Sequence, residues 1–157
     1  VQDEGNIDDV SLSSDGSIAG YTVRVTDEDG FTQTYVALRD LTDGVAYEVA
    51  DDPSGVIDPA IAPDNQTVAV AIRSGETTDI WNFDRSTGDR QRVTTNANAT
   101  APCWSPSGDW LAYVRMVDFE FEIWAVPVLV DGFGEPLQLD RFRDIDAPGG
   151  LSWTVEG

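Results

Sequence analysis

The chain has 157 residues, ordinary for one domain, and 41% of them are hydrophobic, enough to build a core. Twenty-nine acidic residues face nine arginines, with no lysine and no histidine, for a formal net charge of −20. Such a surface repels phosphate backbones and anionic headgroups, which excludes nucleic acid and charged membranes as expected partners.

In chain order, the first unit runs over about 7–52. A short apolar strand ends at Leu12, the turn Ser14-Asp15-Gly16 follows, and a second strand carries Ile18-Ala19-Gly20-Tyr21. A hairpin turn ends at Gly30, after Asp27-Glu28-Asp29, and a third strand holds Gln33-Thr34-Tyr35-Val36. After the turn at Asp43-Gly44, a fourth strand places Val49 five residues beyond Gly44.

The second unit, 57–98, repeats this order. Its first strand ends at Ile61, and its turn is Pro63-Asp64-Asn65. Its third strand is Asp79-Ile80-Trp81-Asn82, and Val93 lies five residues after Gly88. The third unit, 100–145, is the clearest: Trp104, Pro106-Ser107-Gly108, Leu111-Ala112-Tyr113, then Glu122-Ile123-Trp124-Ala125. Its turn is Asp131-Gly132-Phe133-Gly134, with Leu139 five residues after Gly134. A fourth copy begins over 148–157, where Trp153 aligns with Trp104 and Gly157 with Gly108.

Each copy uses the same physics. Proline or a short polar residue starts the turn, and Gly or Asn accepts the positive φ that other residues resist. Apolar alternation then marks the flanking strands, with no helical period. The repeat spacing of 43 to 49 residues suits a propeller blade and exceeds leucine-rich or ankyrin units. The predicted fold is all-β: a β-propeller of four-stranded antiparallel blades, twelve strands in three blades plus the first strand of a fourth, in one segment 1–157. The aromatics Tyr35, Trp81 and Trp124 align as one recurring position.

A blade buries its two faces only against neighbours, and propellers typically close with four to eight blades. Three blades therefore imply either a longer propeller or self-assembly into a ring, for instance from two half-rings. The expected partner is the chain itself or another protein. A start at Val1 is expected of a mature product or an excised segment, in which a secretion signal is not expected. The longest apolar run, Trp124 to Val130, is of strand length, so no membrane span is expected.

No catalytic, cofactor or metal residue emerges. Histidine-assisted nucleophilic catalysis has no base, and a zinc site is not expected of one cysteine. Cys103, beside Trp104, reads as a buried inert thiol. The dense acids Asp8-Asp9, Asp51-Asp52, Asp27-Glu28-Asp29 and Asp144-Ile145-Asp146 do not suit paired-carboxylate chemistry, because strand neighbours point to opposite faces. A calcium loop starting at Asp27 lacks its distal glutamate. Phe119-Glu120-Phe121-Glu122-Ile123-Trp124 reads as a half-buried strand, with an acidic-aromatic surface as its alternative. Asn65-Gln66-Thr67 and Asn98-Ala99-Thr100 fit the N-glycosylation pattern.

Trp104-Ser105-Pro106-Ser107-Gly108, then Leu111-Ala112-Tyr113, then Ile123-Trp124, resembles the TolB-like propeller repeat, a WD-type family with the pattern Trp-Ser-Pro-Asp-Gly. The likeness covers nearly the whole chain, with Ser107 in place of Asp and Ile61 in place of Trp. The resemblance implies a rigid, non-catalytic disc for protein–protein interaction, extracellular or periplasmic. It also admits two other roles: the gating propeller of a prolyl-oligopeptidase-like or tricorn-like serine peptidase, or a carbohydrate-binding propeller. The lysine-free acidity resembles that of proteins from salt-adapted organisms.

Overall fold

The protein was analysed as a computed structural model, which describes residues 5–52, 54–142 and 150–153. Strands β1 (Asn6–Leu12), β2 (Ile18–Thr26), β3 (Thr32–Asp40) and β4 (Ala46–Asp51) pair in that order as one antiparallel meander. The second sheet orders β5 (Val56–Ile61), β6 (Thr67–Ser74), β7 (Thr77–Asp84) and β8 (Arg90–Arg92) in the same way. The third holds β9 (Ala99–Trp104), β10 (Trp110–Val117), β11 (Glu120–Leu129) and β13 (Leu137–Phe142), and the two-residue β12 (Gly132–Phe133) also pairs with β11. The first strands β1, β5 and β9 are successive neighbours, so the three sheets stand side by side around a common edge as propeller blades.

Alternation along the strands explains this stacking. On β6, Val68, Val70 and Ile72 pack toward the first blade with Val36, Leu38 and Ile61. The intervening Ala69 and Ala71 face the third blade, where Leu111, Tyr113 and Val126 fill the space left by the small residues. A blade in mid-array is thus apolar on both faces, each covered by a neighbour.

The repeat reaches down to single backbone angles. The turn after each first strand places Gly16, Asn65 and Gly108 at φ of 72°, 57° and 78°. One acceptor closes each of these turns: Asp15 takes the Ser17 N–H at 2.9 Å, Asp64 the Gln66 N–H at 2.8 Å, and the Ser107 hydroxyl the Asp109 N–H at 3.4 Å. A bulge also interrupts each first strand at an equivalent residue, Asp9, Asp58 or Ala101, at φ near 50°. Val49 and Leu139 are the residues skipped in the pairing of the fourth strands. Val93 matches them, since its N–H and that of Thr94 both reach the Ile80 carbonyl. The shared five-residue offset in the sequence therefore marks a common bulge.

The fourth copy is partial. Gly150 stands where Ala101 does in the third blade, with φ of +69°. The Trp153 indole donates to the Cys103 carbonyl at 3.0 Å, as the Trp104 indole donates to the Ala60 carbonyl at 3.2 Å. Residues 143–149 and 154–157, including Gly157, lie outside the described residues.

The three four-stranded blades stand as expected, and Asp131-Gly132-Phe133-Gly134 adds only the two-residue β12 beside β11. Two expectations need correction. Tyr35 is not the counterpart of Trp81. Trp81 pairs across Val70 and Trp124 across Tyr113, but the equivalent Tyr21 pairs across Ala37. The five-residue turn 27–31 makes the first blade's central hairpin longer than the two-residue turns of the others, and this displaced the alignment by two residues. Finally, Phe119 lies in the turn before β11, and the acid Glu122 is buried, its carboxylate accepting from the Trp124 indole at 2.8 Å. Simple apolar-in, acid-out alternation does not hold there.

Candidate functional site

The bulges in β1, β5 and β9 bring the inner edges of the blades together around one groove of about 800 Å³. Asp9, Asp58, Pro59, Pro102, Trp104 and Trp153 are among its lining residues. The groove is therefore part apolar and part acidic.

Its two carboxylates come from equivalent positions in neighbouring blades, a pairing that adjacency in sequence did not suggest. Burial pushes the Asp58 carboxyl above its usual range. The Ala101 N–H, donating to Asp58 Oδ2 at 2.9 Å, opposes this, and the charge of Asp9 adds to it. Asp9 is raised as well, first by burial and then by Asp8, against the pull of Arg24. Arg24 itself pairs with Asp8 at 2.7 Å. Burial and a neighbouring acid thus disfavour the ionised form of both groups.

The other sequence candidates fall elsewhere. Asp27 closes the β2–β3 turn, accepting the Phe31 N–H at 2.8 Å, and Asp52 accepts the Ser54 N–H at 2.9 Å. Asp144 and Asp146 lie outside the described residues, as does the side chain of Asp51. Among the described residues no group of three His, Cys, Asp or Glu is placed to hold a metal. Cys103 is half-buried on the groove wall, and burial pushes its thiol up, away from a reactive thiolate. Asn65 spends its amide on Asp15, donating at 2.7 Å, so its glycosylation pattern sits in a turn that already uses that nitrogen.

A second buried acid was not legible at all. Asp79 is fully buried at the outer side of the second blade. It accepts from Arg92 at 2.5 Å, from the Thr94 hydroxyl at 2.9 Å, and from the N–H groups of Asn96 and Ala97 at 3.1 and 3.0 Å. Burial alone would raise its pKa, but these four donors outweigh burial and hold it below the usual carboxylate range. Its work is structural: it folds the segment leaving β8 back toward the third blade.

The turns at the far end of the strands form a further feature. Asp118 and Phe119 both adopt positive φ, 50° and 63°, and Phe119 is 94% exposed. Phe31, in the corresponding turn of the first blade, is 59% exposed. The sequence placed Phe119 within a strand, and only its register against Val117 and Glu120 reveals it as a turn residue.

Comparison with known proteins agrees with this architecture. No protein-family model matches the chain. A major S-layer protein of Methanosarcina barkeri is 34% identical over 85 residues, which is 50% of this chain and 12% of that protein. Among solved structures, the β-propeller domain of the trilobed protease of Pyrococcus furiosus superposes with a TM-score of 0.68 at 14% identity, over 85% of this chain and 43% of that one. TolB of Acinetobacter baumannii gives 0.68 at 15% identity over 86% of this chain and 32% of that one. A putative TolB of Agrobacterium tumefaciens gives 0.66 at 23% identity, over 85% and 46%. The chain has the β-propeller fold, and it spans less than half the length of these relatives.

Proposed function

We propose that this chain is a non-catalytic propeller scaffold, TolB-like in its repeats, that works by protein–protein interaction and assembles with further blades outside the cytoplasm. The observation that carries this reading is the open flank of the first blade. Leu12 and Ile7 are 60% and 53% exposed, whereas their equivalents Ile61 and Val56 are 7% and 0% exposed against a neighbouring blade. Among the described residues no blade covers this face, and covering it is what such a face is for. The partner that matches its geometry best is another blade, supplied by a second copy that completes the ring. The likeness of half the chain to an S-layer protein supports both assembly and an extracellular place.

Sedimentation of the wild-type chain and of Leu12→Asp tests this. Wild type is expected to run above the 17.0 kDa of one chain. Leu12→Asp should run as a single chain with an unchanged circular dichroism spectrum. A folded wild type that stays a single chain at tens of micromolar contradicts the reading.

A second reading, the gating propeller of a serine peptidase, draws on the groove at the inner strand edges and on the fold shared with the trilobed protease's propeller domain. It requires a hydrolase domain encoded beside this segment. The carbohydrate reading draws no support from four of the five tryptophans, which divide between two places. Trp104 and Trp153 line the groove, while Trp81 and Trp124 are covered by Arg90, Arg92 and Arg115.

A further inference from the structure

The β2–β3, β6–β7 and β10–β11 turns project from the same end of three equivalently oriented blades, so they share one face of the array. The second blade turns tightly through Gly75 at φ of +66°, the residue that such a turn favours. The third blade also turns through two residues, Asp118-Phe119, but there both lie at positive φ, 50° and 63°. A phenylalanine at φ of +63° is strained relative to Gly or Asn, and this ring is 94% exposed, so it gains no burial in return. Neither local folding nor the packing of the blade accounts for it. Phe31, at 59% exposure, presents a second ring on the same face.

The charge within the three turns has one sign. Asp27, Glu28, Asp29, Glu76 and Asp118 occupy the three turns, and no basic residue does. Of the arginines in the adjoining strands, Arg24 is paired with Asp8, and Arg115 donates to the Ala97 carbonyl and lies over Trp124; Arg73 remains exposed beside the middle turn. A second copy of this chain, also at −20, is therefore a poor occupant of this face.

We propose that this turn face is a docking surface for a basic protein partner, with Phe119 and Phe31 as apolar anchors set in an acidic field. The inference rests on the scaffold reading and names the surface and partner chemistry for it. Exposed aromatic anchors supply most of the affinity in such contacts, and the acids steer and select.

The probe is a synthetic amphipathic Leu/Lys peptide, with a Leu/Glu peptide of the same length as control, titrated against the full chain by fluorescence anisotropy. Leu/Lys should bind, more weakly as salt rises, and Leu/Glu should not. Phe119→Asn, whose new residue tolerates the turn's backbone, should weaken binding by roughly ten-fold while keeping the thermal midpoint at or above wild type. Phe31→Ser should weaken it further when combined. Val130→Ser alters an equally exposed apolar residue at the other end of β11 and should leave binding unchanged. Equal binding by wild type and Phe119→Asn, or an equal loss in Val130→Ser, overturns the proposal. Sedimentation of Phe119→Asn separates the two readings: an assembly that persists while the peptide result fails leaves the scaffold standing and removes only the docking face.

Discussion

At the scale of single residues, three polar side chains differ in what they do for the fold. Asp79 is buried among four donors and its pKa is lowered, so it stabilises the native state above the ordinary carboxylate range. That contribution is lost as pH falls through its depressed folded value. Asp79→Ala leaves Arg92 and Thr94 without their acceptor and is expected to cost about 3 kcal/mol in denaturant unfolding at pH 7. Asp58 carries the opposite sign. Its pKa is raised, so its ionisation destabilises the native state as pH climbs from the ordinary carboxylate value through the folded one. Asp58→Asn keeps an acceptor for the Ala101 N–H and should raise the thermal midpoint at pH 7, an advantage that vanishes near pH 3. Ser107 belongs to a third class. It accepts a long 3.4 Å bond where Asp15 and Asp64 accept at 2.9 and 2.8 Å, so Ser107→Asp should stabilise the third blade by about 0.5 kcal/mol.

At the scale of elements, the contacts between blades dominate. Leu38 is fully buried between β3 and the second blade, and Leu38→Ala should cost about 3 kcal/mol in the same unfolding measurement. Much of this level was legible in the sequence, for a physical reason. The turn after each first strand needs a left-handed residue and a side-chain acceptor, so Gly16, Asn65 and Gly108 recur at readable spacing beside Asp15, Asp64 and Ser107. The bulge at Val49 and Leu139 was visible only as an offset, because skipping one residue in a pairing leaves no residue type behind. The length of the β2–β3 turn was not legible. Asp27-Glu28-Asp29-Gly30-Phe31 closes as well with five residues as a shorter turn does with two, and Tyr35 was misaligned in consequence. The acidic groove escaped for a different reason: Asp9 and Asp58 meet through equivalence between blades, across 49 positions of sequence.

At the scale of the whole molecule, the open flank and the charge act against each other. Leu12 and Ile7 favour stacking, while copies at −20 repel one another. Salt should therefore strengthen assembly: between about 0.15 M and 1 M the screening length falls from roughly 8 to 3 Å, which removes repulsion and leaves apolar burial intact. Light scattering across that range should show mass rising with salt, the reverse of an assembly held by ion pairs. The most direct measurement is small-angle X-ray scattering of the wild-type chain, resolved by size-exclusion chromatography at high salt. The expected result is a folded particle at a multiple of 17.0 kDa whose distance distribution is that of a closed disc. A folded single-chain wedge at every concentration and salt would contradict it.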